Sequence, residues 1–129
     1  MGRILSQVTV RNALERDKVI VFDGLVDTGA SHMVLPAAWK SRLGDLERTE
    51  RVALSLANKE TVEREIFGPV EVTLEGFRPV FTEVLFVEMQ PVQDARYEAL
   101  IGYTVLEMIP AAVDMVGHRL VHAGALDLK

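Results

Sequence analysis

The chain has 129 residues and no cysteine, is 49% hydrophobic and 26% charged, and carries a formal net charge of -5. This length and apolar fraction fit one folded domain over 1–129 and exclude a disordered chain. Without cysteine there is no disulfide framework, no thiol nucleophile and no Cys-ligated metal.

Nothing in the composition marks an oxidising compartment, and a cytoplasmic location is expected. No apolar run approaches the ~20 residues of a membrane-spanning helix, so no membrane partner is expected. Met1-Gly2-Arg3-Ile4-Leu5-Ser6 lacks the apolar core of a secretory signal. It fits the two fixed positions of a myristoylation pattern, but reads as the lead-in to a strand. Residues 1–50 carry 7 basic and 7 acidic side chains, and residues 51–129 carry 7 and 12. No Lys/Arg cluster offers the basic face that displaces counterions from phosphates, so nucleic acid is not an expected partner.

Val8–Val10 and Val19–Val26 are β-branched runs around the charged stretch Glu15-Arg16-Asp17-Lys18, which predicts a hairpin. Asp23-Gly24 inside the second run suggests a bulge or twist. Pro36–Leu43 predicts a short helix, with Pro at its first turn, Gly44 past its end and Trp39 on its core side. Strand patterns then resume. Val52, Leu54 and Leu56 alternate with polar or small residues, Asn58-Lys59-Glu60 breaks the run, and Val62–Phe67 follows. Gly68-Pro69 reads as a turn before the alternating run Val70–Leu74, and Gly76 as another before Pro79–Val87. After an irregular stretch come the short apolar run Leu100-Ile101-Gly102, one or two helical turns over Tyr103–Ile109 stopped by Pro110, and strands at Ala112–Asp114 and Leu120–His122 around Gly117. The tail to Lys129 suggests a last strand. Seven or eight short strands at this spacing indicate an all-β barrel or sandwich with one or two short helices.

One stretch carries chemistry. An apolar strand runs directly into Leu25-Val26-Asp27-Thr28-Gly29-Ala30-Ser31, an acid followed by a hydroxyl, a glycine and two small residues. Asp, Thr and Gly are common turn formers. The apolar run before them, the Ala-Ser after them and Leu100-Ile101-Gly102 some 70 residues later make the pattern far more specific. Gly24 to Gly29 lacks the Lys-Ser/Thr of a phosphate loop. His118 and His122 are four apart but flank a β-rich run with no third ligand nearby, so no metal site is expected. His32 directly follows the motif.

In this ordered pattern the sequence resembles the retropepsin-like aspartic proteases, the half-size, retroviral-type relatives of pepsin. The likeness runs from the first hairpin through Asp27-Thr28-Gly29 and Leu56-Ala57-Asn58 to Gly68-Pro69-Val70 and Leu100-Ile101-Gly102. It implies a closed acid-protease β-barrel that functions as a symmetric homodimer and hydrolyses peptide or protein substrates without a cofactor. Such hydrolysis needs a water held between two carboxylates, which share one proton because both cannot ionise at ~3 Å separation. A chain with one Asp-Thr-Gly can build that pair only with a second copy of itself.

The resemblance assigns Asp27 as the catalytic carboxylate and Thr28 to a hydrogen bond across the dimer. Gly29 would let backbone amides approach the carboxylate and the substrate closely, Ala30 belongs to the same supporting loop, Ser31 is expected to donate to Asp27, and Gly102 to pack behind the loop. Ala57, Asn58 and Lys59 would form a substrate-covering flap. Family flaps commonly carry Gly where this chain has Lys59. In retroviral relatives chain ends interleave at the dimer contact, and Gln7–Val10 and Leu120–Leu128 are placed to do so. Two alternatives stand beside this reading. One is a non-catalytic dimeric peptide-binding or scaffold module, suggested by Lys59. The other is a β-barrel ligand binder with a chance Asp-Thr-Gly.

Overall fold

The computed structural model describes residues 3–55, 61–92 and 96–123. Period-two burial builds its first strand, β1 (Leu5–Asn12), where Val8, Val10 and Asn12 are buried and the residues between them are not. β1 pairs antiparallel with β2 (Val19–Val26), from Leu5 opposite Leu25 to Arg11 opposite Val19. On its other side it pairs with the second half of β5 (Thr61–Leu74). The predicted hairpin is present, but Gln7–Val10 has neighbours on both sides. It is therefore not free to interleave with a second chain.

The remaining strands close a ring. β3 (Met33–Pro36), β6 (Val80–Val87) and the two-residue β7 (Leu100–Ile101) complete the order β1-β2-β7-β3-β6-β5, and β5 returns to β1. β4 (Glu47–Ser55) lies outside the ring and pairs only with the first half of β5. Met33, Leu35, Val72, Leu74, Val84 and Ile101 are fully buried inside. Each such side chain contributes ~1.5–3 kcal/mol through its removal from water. A 3-10 helix, Ala37–Leu43, follows β3 directly where the short helix was predicted. α1 (Tyr103–Met108) follows β7 and buries Val105 and Leu106.

Two glycine readings change. β2 runs through Gly24 in unbroken register, Ser6 opposite Gly24, with no bulge. A Cβ at Gly24 would stand 2.9 Å from Ile101 Cγ1 and 3.2 Å from Val8 Cγ2, so the bare Cα makes room for β7's side chain. Gly68-Pro69 is not a turn. β5 continues through it, and the register to β6 shifts between Phe67 and Val70. A bulge absorbs the proline's missing N–H, while the Pro69 carbonyl accepts from Ala13 N–H at 3.1 Å.

After α1 the chain forms a separate two-stranded sheet, β8 (Ala111–Asp114) with β9 (Arg119–His122). Ala111 and Leu120 pack against the core, and the His122 ring lies 4.3 Å from that of Phe77. The tail from residue 124, read above as a last strand, lies outside the described residues.

Asn12 joins the first hairpin to the helix after β3. Fully buried, it donates from Nδ2 to the carbonyls of Leu43 at 2.7 Å and Asp45 at 3.3 Å. Its Oδ1 accepts from Leu14 N–H at 2.8 Å and Glu15 N–H at 3.0 Å. Removing the amide strands these backbone groups, at ~1–3 kcal/mol for each one left dry. Asn12→Ala is expected to lower unfolding stability by ~3 kcal/mol, read as a shifted denaturant midpoint at unchanged slope.

Candidate active site

The sequence-predicted residues Asp27 to Ser31 form the loop that carries the chain from β2 to β3. Those strands are not neighbours, because β7 lies between them, parallel to β2 and antiparallel to β3. The loop must therefore arch over the end of β7, where Gly102 emerges. A Cβ at Gly102 would come within 2.6 Å of the His32 carbonyl carbon and 2.8 Å of the Ala30 oxygen, and would collide with the His32 oxygen as well. All three are backbone atoms and cannot swing aside. Gly102 has φ -83°, so the glycine serves proximity and not an unusual dihedral.

Backbone bonds hold the arch. Asp27 N–H donates to Ile101 O at 3.0 Å, and Ala30 N–H to Asp27 O at 3.1 Å. The first amides of α1 point at the loop, with Tyr103 N–H on Ala30 O at 2.9 Å and Thr104 N–H on Ser31 O at 3.2 Å. No side chain caps this helix. The loop carbonyls take donors that a helix start leaves without partners. Gly29 N–H donates to Asp27 Oδ1 at 2.9 Å, which fixes the carboxylate's orientation from within the loop.

Asp27 is half-buried, with Thr28 and Gly29 exposed beside it. It opens into a depression of about 280 Å³, also lined by Arg3, Leu25, Thr28, Val113 and Met115. Ser31 Oγ stands 3.0 Å from His32 Nδ1, so the hydroxyl expected to donate to Asp27 is engaged with the neighbouring ring instead. Ala57, Asn58 and Lys59, assigned to the flap, lie outside the described residues. The strands leading to them, β4 and β5, pair antiparallel up to Ser55 opposite Thr61. Below, Arg48 at 2.8 Å and Arg51 at 3.3 Å grip Glu65. The Arg48 hydrogen bond, more than that of Arg51, holds the Glu65 carboxyl below its ordinary value against a smaller opposing effect of burial. Among the described residues no group of three or more His, Asp or Glu side chains could hold a metal, and no helix is long and apolar enough to cross a membrane.

A second, larger groove of about 640 Å³ shares Arg3 and Leu25 with the Asp27 depression. Phe22, Trp39 and Tyr97 line it as a linked aromatic row, with Phe22–Trp39 centroids at 5.0 Å and Trp39–Tyr97 at 6.0 Å, edge-on. Trp39 thus does two jobs, since it also packs against the core. Of the charged residues on the wall, Arg3 and Glu98 pair at 2.7 Å. The sequence reading missed this groove. Its three aromatic residues come from β2, the 3-10 helix and the loop before β7, and no local pattern links them.

A sequence model of the aspartyl protease family matches residues 8–105, a span that holds the loop, β7 and Gly102. The chain belongs to that family. Among solved structures, EIAV protease in complex with the inhibitor HBY-793 is similar, with a TM-score of 0.59 and 21% identity over 88% of this chain and 93% of that one. The fold of this family member is therefore retropepsin-like, a closed β-barrel with few short helices. No curated protein matches the chain. A chance Asp-Thr-Gly in an unrelated barrel is set aside, because the family match spans the whole arrangement around it.

The Gly102 contact makes a direct test of how the Asp27 loop is held. Gly102→Ala is expected to cost ~3 kcal/mol, at the upper end for overpacking, because the atoms it meets are backbone. Thermal or denaturant unfolding reads the loss. Wild-type stability in the variant would mean that the loop can lift off β7.

Proposed function

We propose that the chain is an aspartic endopeptidase, active as a homodimer in which Asp27 of each copy contributes one carboxylate to a shared dyad. The observation that carries this reading is a single oriented carboxylate, half-buried at the rim of an open depression, in a chain that holds only half of the necessary pair.

Gly29 N–H donates to Asp27 Oδ1, which orients the carboxylate and leaves it acceptor sites for the attacking water. With two such carboxyls facing each other, one proton is shared. The ionised member takes a proton from the water. The protonated member donates to the scissile carbonyl oxygen, and a tetrahedral gem-diol forms. Proton return to the amide nitrogen then releases the two peptides. The pH dependence belongs to the pair and not to either residue. No metal or organic cofactor is needed, since carboxylates and water supply the acid, the base and the nucleophile.

The adjoining aromatic groove supports a preference for a large apolar or aromatic substrate side chain beside the scissile bond. Phe22, Trp39 and Tyr97 offer faces and edges for such a group. The Arg3–Glu98 pair offsets its own charge on the wall.

Asp27→Asn is expected to cut peptide cleavage by ~10²–10⁴-fold, the usual contribution of a positioned acid–base group, while the dimer persists. A peptide library assayed at pH 4–7 tests this, and equal cleavage by the variant would sink the proposal. Binding of a pepstatin-type transition-state analogue should be lost in the same variant. Trp39→Ala is expected to lower the kcat/KM ratio of aromatic over alanine peptides by about tenfold. The ratio cancels any general loss of folded protein.

A further inference from the structure

We infer that Asp23 makes the aromatic groove select a long cationic side chain, arginine above lysine, beside the scissile bond. The inference rests on the endopeptidase reading above and adds the charge of the substrate to it.

One charge in the groove is left over. Of the charged residues that line it, Arg3 and Glu98 hold each other at 2.7 Å, and Arg96 has an interaction of its own. Asp23 lines the same wall and is exposed, and among the described residues no cationic side chain pairs with it. Its neighbour across the β1–β2 pairing is Gln7, which carries no charge.

The position of Asp23 sets the length of side chain that can reach it. Asp23 and Leu25 are two apart on β2 and share a face. Leu25 lines both the Asp27 depression and the groove, so it lies between the two carboxylates. At ~3.3 Å per strand residue, Asp23 stands ~13 Å along the chain from Asp27. A short side chain placed beside the scissile bond ends at Leu25. Arginine and lysine have apolar stems long enough to pass Leu25 with the charge held at the far end.

The aromatic row and the carboxylate suit two parts of one arginine. A guanidinium stacks on aromatic faces and meets a carboxylate with two N–H donors, which the compact ammonium of lysine cannot match. Trp39 already draws one such group, since the Arg42 guanidinium lies 5.8 Å from its ring centre without being part of the groove wall. A methionine of similar length covers the rings but leaves Asp23 to water. A glutamate brings like charges together in the groove. The formal net charge of -5 adds a general attraction for a cationic peptide.

Peptides that differ only in carrying Arg, Lys, Met or Glu before the cut test the inference. The kcat/KM order is expected to be Arg, Lys, Met, then Glu. Asp23→Asn is expected to lower the Arg-over-Met ratio about fivefold, the upper end for an ion pair with solvent on one side. Asp17→Asn, which removes the same charge from the exposed β1–β2 turn, should leave that ratio as it is. Asp23→Lys should turn the preference from Arg to Glu. Binding is read apart from cleavage. Trp39 is the only tryptophan of the chain, so its fluorescence in Asp27→Asn reports occupancy of the groove as the same peptides are titrated. The Arg peptide is expected to bind about fivefold more tightly than the Met peptide, and the difference should vanish when Asp23→Asn is added. No binding, equal Arg and Met affinities, or an Arg preference that survives Asp23→Asn overturns the inference. Arg-selective binding that depends on Asp23, in a chain that cuts no peptide, keeps the groove's selectivity and defeats the proposed function instead.

Discussion

A two-residue strand wedged between two others dictates where the carboxylate can be. β7 separates β2 from β3, so the chain between those strands must pass over the end of β7 at backbone contact distance. Only a residue without a side chain fits beneath it, and Gly102 is that residue. Backbone groups this close to a packed core need hydrogen-bond partners. They find them in Ile101 O below and in the opening amides of α1 beside. Asp27 is thus positioned by main-chain bonds whose geometry does not depend on side-chain rotamers. The loop's own Gly29 amide then orients the carboxylate. Preorganisation of this kind is what a site needs if a water and a carbonyl are to meet an acid and a base without further rearrangement.

The rest of the barrel serves that wedge. Gly24 in β2 leaves the space that the Ile101 side chain fills, so the pairing of β7 with β2 depends on the missing Cβ at Gly24. Ring closure through β5 buries the inner faces of six strands and removes their edges. Among the described residues, β4 and the β8–β9 hairpin are the strands left outside the closed ring. One leads to residues 56–60, where a flap is expected, and the other stands beside Asp27.

What was legible in the sequence followed from how narrowly chemistry or sterics restrict a position. Asp27-Thr28-Gly29 after an apolar strand, with Leu100-Ile101-Gly102 downstream, stood out because few residue types can do what the arch requires. The first hairpin and the short helices followed from alternation and from Pro and Gly punctuation. Misreadings arose where one residue has two physical uses. Glycine in a strand relieves crowding as readily as it bulges, and Gly24 does the former. Gly-Pro ends strands or is absorbed within them, and Gly68-Pro69 is absorbed. β3 was missed because three apolar residues before a proline are too few to show a period, and the charged first half of β4 hid its strand. Asn12 was invisible as a keystone. Its worth lies in carbonyls about thirty residues away that only the fold brings near.

Symmetry gives the short chain a further property. In the proposed dimer each copy brings its own aromatic groove to the side of the shared carboxylates. One set of side chains, Phe22, Trp39 and Tyr97, would therefore stand on both sides of the scissile bond. A two-domain enzyme can tune the two sides separately, because each comes from a different part of the sequence. A homodimer cannot, and any substitution in the groove acts twice. Its preferences for the residues before and after the cut are tied together, apart from the polarity of the peptide itself. Discrimination between substrates must then come from that polarity and from elements that can close asymmetrically over it. Among the described residues β4 joins the ring through one strand pairing, with β5, and leads to residues 56–60, which the resemblance assigns to such a cover.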